Sequence, residues 1–110
     1  NYVDHTLCNA VLHFAHNHEH HAKMLRELFR VTKPMGTLFI RTCSNIGLPS
    51  YTDIGNGRFR LPDESERYLM TDEIIKEFTT THGLEYLEPI RSVNVSNQRV
   101  MTTLMLLKLP

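Results

Sequence analysis

Five histidines fall within nine positions in the stretch HFAHNHEHH: His13, His16, His18, His20 and His21. Imidazoles titrate near neutral pH and ligate metals. His16 and His20 stand four apart, so on one helix they would share a face, the spacing of paired helical zinc ligands. No cysteine or carboxylate stands at a diagnostic distance from them, and the segment straddles the start of a helix. The stretch therefore reads as a polar helix start that takes nickel or zinc adventitiously. No metal site is assigned, and a His-rich metal-binding domain ranks last among the functional readings. Two cysteines, Cys8 and Cys43, are too few for a disulfide framework and read as reduced, cytoplasmic thiols. Arg41 closes an apolar run and carries a planar fork that suits a carboxylate substrate. Its plainer reading is a solvated strand-end charge.

Regular elements must position these groups. Val3 to Cys8 has strand character, and NAVLHFAH follows as a turn or short helical segment. Asn17 is a fitting N-cap, with Glu19 in the first turn. Met24, Leu25, Leu28 and Val31 then fall at helical spacing, opposite Lys23, Arg26, Glu27 and Arg30. Pro34 requires the helix to end by Lys33. Gly36 offers the positive φ of a tight turn, and Thr37 to Arg41 follows as a strand. Its core, Leu38, Phe39 and Ile40, is apolar on consecutive positions, which predicts burial on both faces of a central parallel strand. Cys8 and Cys43 would then lie near the same edge of neighbouring strands.

Ser44 to Leu69 reads as a long connection, and loops of that length usually act as lids or binding loops. Thr71 caps the next helix, Ile74, Ile75 and Phe78 form its buried stripe, and Gly83 closes it. Leu84 to Val95 is extended and bent at Pro89. Ser96 and Asn97 turn the chain into a last strand, Val100 to Lys108, which makes an antiparallel hairpin. The order is β-α-β-loop-α-β-β.

The 110 residues, 41% hydrophobic and 22% charged, suit one small domain. Twelve basic and twelve acidic side chains balance, so the chain lacks the basic footprint of a nucleic-acid binder and the polybasic patch of a membrane binder. The apolar run near Met101 to Leu109 is too short to span a bilayer. The N-terminus is not a signal peptide, and with no initiator Met the chain reads as a piece of something longer.

Four segments, in order, resemble the C-terminal half of class I S-adenosylmethionine-dependent methyltransferases: VDHTLCNAVLHFA, MLRELFRVTKPMGTLFIR, GRFRLPDESERYL and QRVMTTLMLLK. In that family a strand ends in a cofactor-edge segment, a helix leads to an R-V-L-K-P-G-G turn and a further strand, and a hairpin closes the sheet. The resemblance implies a Rossmann-like half-sheet, a single partial methyltransferase-like domain over 1–110 with 44–69 as a long loop or lid. Met35 replaces the first glycine of the turn, and would sit in a type I turn. The family's glycine-rich cofactor turn is absent, and GNG at Gly55–Gly57 does not replace it.

By the same resemblance the cofactor is S-adenosylmethionine, with Cys8, Asn9 and Ala10 as its candidate contacts. His13 is the best candidate base, and only some acceptors need one. Phe14, Arg41, Tyr51 and Tyr68 are candidate substrate contacts. The implied function is methyl transfer to a small-molecule acceptor that the sequence does not name, by the C-terminal portion of a longer enzyme or with a partner chain. The alternative is a non-catalytic dimerisation or interaction module, a homodimer formed through the exposed edge of the first strand.

Overall fold

The computed structural model describes residues 2–110. The chain opens with strand β1 (Val3–Asn9), a 3-10 turn (Leu12–Phe14), helix α1 (His18–Val31) and strand β2 (Thr32–Ser44). Three short strands follow, β3 (Thr52–Gly55), β4 (Arg58–Arg60) and β5 (Glu66–Tyr68). Helix α2 (Asp72–Thr81) then leads to β6 (Leu84–Tyr86), β7 (Arg91–Val95) and β8 (Arg99–Lys108).

The main sheet runs β1-β2-β8-β6, with β7 also on β8. β1 is parallel to β2, and β8 is antiparallel to β2, β6 and β7. This is a mixed α/β architecture, consistent with a Rossmann-like methyltransferase fold. As expected from Pro89, the extended segment after α2 is broken in two. Ser96 and Asn97 both take positive φ in the hairpin turn, at 54° and 57°.

Both helices lie on one face of the sheet. Leu25 of α1 and Ile75 and Phe78 of α2 pack on Leu38, Ile40, Leu104 and Leu106. Caps fix where the helices begin: Asn17 Oδ1 accepts from the His20 N–H at 2.8 Å, and Thr71 Oγ1 accepts from the Ile74 N–H at 3.2 Å. Lys108 ties the last strand to the end of α1, its Nζ donating to the carbonyls of Phe29 and Thr32 at 2.8 and 2.7 Å. A cation suits those unsatisfied carbonyls.

The expectation that β2 is buried on both faces needs correction. Leu38 and Ile40 are fully buried, but Phe39 is only half-buried. It stands in register between Leu7 of β1 and Met105 of β8. Leu7 is 71% exposed, so the row lies on a bare face. The apolar run in the sequence marks burial potential, whereas the two helices cover only one side. The two cysteines also separate: Cys8 joins the core under the helices, and Cys43 joins a second cluster with Leu61, Leu69 and Met101.

Residues 44–69 are not an irregular loop. They hold a three-stranded antiparallel sheet, β3-β4-β5, whose hairpin turn is the GNG stretch. Strands of three and four residues with mostly exposed side chains carry no apolar signature in the sequence. Gly57 at φ 79° is demanded twice, since a Cβ there would meet the Tyr68 ring and His18.

Among the described residues one core hydroxyl finds no partner: Thr42 is 1% exposed and its Oγ1 makes no hydrogen bond with them. A buried orphan hydroxyl costs stability that an isosteric methyl does not. Thr42→Val should raise the stability by about 1 kcal/mol, read as a higher urea midpoint with an unchanged slope.

Candidate functional site

In open α/β sheets ligands gather beyond the carboxyl ends of the strands. Here β1 ends level with Arg41, while β2 runs on to Ser44 against β8. The Ala10 N–H donates to the Arg41 carbonyl at 2.8 Å, one step beyond the last β1 residue. Ala10 itself has φ 59°, a left-handed conformation uncommon for a residue with a Cβ. That conformation turns the chain sharply off the strand end and into the 3-10 turn. Asn9 Oδ1 accepts from Arg41 Nη1 at 3.4 Å.

A cavity of about 260 Å³ opens at this point, lined by Ala10 and His13 of the connection after β1 and by Arg41 of β2. The small sheet and its connection supply the opposite wall through Asp63, Ser65 and Arg67. His13 is buried, and its Nδ1 accepts from the Cys43 N–H at 3.4 Å. In the neutral ring the proton therefore sits on Nε2, which makes that atom a donor. Burial foremost, then the charges of Arg67 and Arg99, holds the His13 imidazolium below the usual histidine range. The Cys43 thiol lines the same cavity, and burial pushes it up and away from thiolate.

The expected residues divide. Ala10, His13 and Arg41 line the cavity, and Asn9 is held to Arg41. Cys8 points into the core, with burial raising its thiol. Phe14 is exposed, and the Arg67 guanidinium lies over its ring, 4.9 Å from the centroid. Tyr51 stands just before β3, edge-on to Phe59 at 5.2 Å, off the cavity wall. Tyr68 is 2% exposed and turned away from the cavity, toward α1. There it stacks on His21 at 4.2 Å, and its hydroxyl lies 2.7 Å from His18 Nδ1. It fastens the small sheet to the helix.

His16 and His20, the pair four apart, stack at 4.9 Å, and the His20 Nδ1 is taken by the His16 N–H. Among the described residues no three His, Cys, Asp or Glu side chains gather as metal ligands. None of the described helices is long and apolar enough to cross a membrane. Sequence reasoning missed Arg67 and Arg99. Each is one charge among many in the chain, and only the docking of the small sheet and the return of β8 bring them to Arg41.

Residues 1–40 match the family model described as methyltransferase domain. The match ends inside β2 and covers β1, the turn carrying His13, and α1. It supports a class I S-adenosylmethionine-dependent methyltransferase-like domain. No curated protein matches the chain.

Proposed function

We propose that the chain takes part in S-adenosylmethionine-dependent methyl transfer to a small-molecule acceptor, as the C-terminal portion of a longer cytoplasmic enzyme. The observation that carries this reading is the cavity at the carboxyl end of β1, beside Arg41 of β2 and walled by the small sheet, within a chain whose first 40 residues match a methyltransferase model. When bound, S-adenosylmethionine supplies the methyl group on a sulfonium that leaves as a neutral thioether.

The residues present fit one edge of that cofactor. The backbone of Asn9 and Ala10, bent away by the left-handed Ala10, leaves the strand end open to a ligand. The ribose and adenine need the glycine-rich turn and acid that this sequence lacks. The remaining work is alignment. The small sheet acts as the lid, excluding water from the acceptor. His13, neutral at pH 7 with its proton on Nε2, orients the acceptor by donating a hydrogen bond. It takes up a proton only when the Cys43 N–H releases Nδ1. Amide NMR with S-adenosylhomocysteine tests this: shifts centred on Asn9, Ala10 and His13 are expected. Shifts confined to other surfaces, or none, would refute it.

A second reading has its own observation. β1 pairs only with β2 among the described strands, and Tyr2 and Leu7 are 72% and 71% exposed. An unpaired apolar edge invites a partner strand. A second copy joined antiparallel through β1 would give a non-catalytic dimerisation module. Light scattering that shows a monomer at all concentrations removes this reading.

A further inference from the structure

Three guanidiniums face the one cavity. Arg41 comes from β2, level with the end of β1, Arg67 from β5 and Arg99 from the start of β8. Among the described residues none of the three has a carboxylate within ion-pair distance, whereas Arg30, Arg60 and Arg91 each do. The one acid on the wall, Asp63, is held by its own turn, its Oδ1 accepting from the Ser65 N–H and hydroxyl at 2.9 and 2.5 Å, and its single charge offsets only part of the charge of Arg67 and Arg99. The Arg67 guanidinium lies over the Phe14 ring, and its Nη1 donates to the Glu66 carbonyl at 3.1 Å, which holds the group in place. Three guanidiniums against one carboxylate leave the wall positively charged, which favours a further anion, and a guanidinium fork matches a carboxylate in two parallel hydrogen bonds. His13 adds a neutral donor at the same wall.

We propose that this cavity binds the carboxylate of a small organic acid, through Arg67, Arg99 and Arg41. That the acid is the methyl acceptor rests on the methyl-transfer reading above; the anion site rests on the arginines alone. The volume, about 260 Å³, limits the ligand to a small acid. The carboxylate is the anchor, and the methylated atom lies elsewhere on the molecule, because an ion-paired carboxylate is a poor nucleophile.

The test is an amide and arginine side-chain NMR titration of the whole chain with benzoate, pyruvate and succinate, without cofactor. Benzamide, the neutral match of benzoate, is the control. At least one acid should shift Arg67, Arg99 and His13 saturably, benzamide should bind about tenfold more weakly, and added salt should weaken the acid. The double variant Arg67→Gln with Arg99→Gln should lose about tenfold in affinity while keeping a dispersed spectrum. Arg60→Gln, on the same small sheet but paired to Glu66, should change nothing. The site is disproved by equal binding of benzoate and benzamide, by an unaffected double variant, or by silence from all three acids at tens of millimolar. Cofactor is absent throughout, so a failure to bind S-adenosylmethionine would not alter the result. Loss of the acid site would in turn leave methyl transfer to a neutral acceptor standing.

Discussion

Acidification from pH 6.5 to 4 should remove about 3 kcal/mol of stability through His21 alone. His21 is 2% exposed and stacked on Tyr68 where α1 meets the small sheet. Burial, and then the neighbouring charges of His18 and His20, lowers its pKa from 6.5 to about 4. The unfolded chain therefore takes up the proton first. Above pH 6.5 neither state is protonated and the full stability is present. As pH falls from 6.5 toward 4, only the unfolded state gains the proton, and stability declines. Below 4 both states carry it, and the loss is complete. Burial lowers His13 and His82 in the same direction, so they steepen the slope. Urea midpoints across this window measure the effect. His21→Phe keeps a ring against Tyr68 and should flatten most of the slope; a slope unchanged in that variant would show that another group is responsible.

Gly36→Ala should destabilise the protein by about 3 kcal/mol. Val3 pairs with Thr32 and His5 with Thr37, so Lys33–Gly36 form a bulge against β1. A Cβ at Gly36 would lie 2.7 Å from the Asp4 carbonyl oxygen, 2.8 Å from that of Lys33 and 2.9 Å from Thr32 Cγ2. Two of these are backbone atoms, which a side-chain rotation cannot move aside. The positive φ falls instead on Met35, at 67°. Met35→Gly should therefore gain about 1 kcal/mol, relieving left-handed strain less the entropy that glycine adds to the unfolded chain. Urea unfolding of the two variants should move in opposite directions. Equal losses would mean that the bulge is built otherwise.

This turn shows both the reach and the limit of the sequence. KPMG reads as a turn between helix and strand, but the helix gives way to β2 at Thr32, and KPMG lies inside the strand as its bulge. The residue spacing does not reveal that methionine takes the left-handed position while glycine answers a close approach across strands. That depends on where β1 lies. The capped helices and the final hairpin were legible because Asn17, Thr71, Gly83 and the Ser96–Asn97 turn act within a few residues of themselves. The small sheet was not, because its strands are too short and too exposed for a periodic pattern. For the same reason Tyr68 reads as a lid aromatic, although it is a buried fastener against His18 and His21. At the site, Ala10, His13 and Arg41 were reachable because the end of β1 and the strand beside it place them. Arg67 and Arg99 come together only in the tertiary fold.

The central claim is that the strand end at Asn9 and Ala10 borders a methyl-donor site. Calorimetric titration of the chain with S-adenosylmethionine tests it most directly, alongside Ala10→Asp, which places a charged side chain at that edge. Saturable binding, weakened about tenfold or more by Ala10→Asp, is the predicted result. No heat of binding, or binding that Ala10→Asp leaves unchanged, would contradict it.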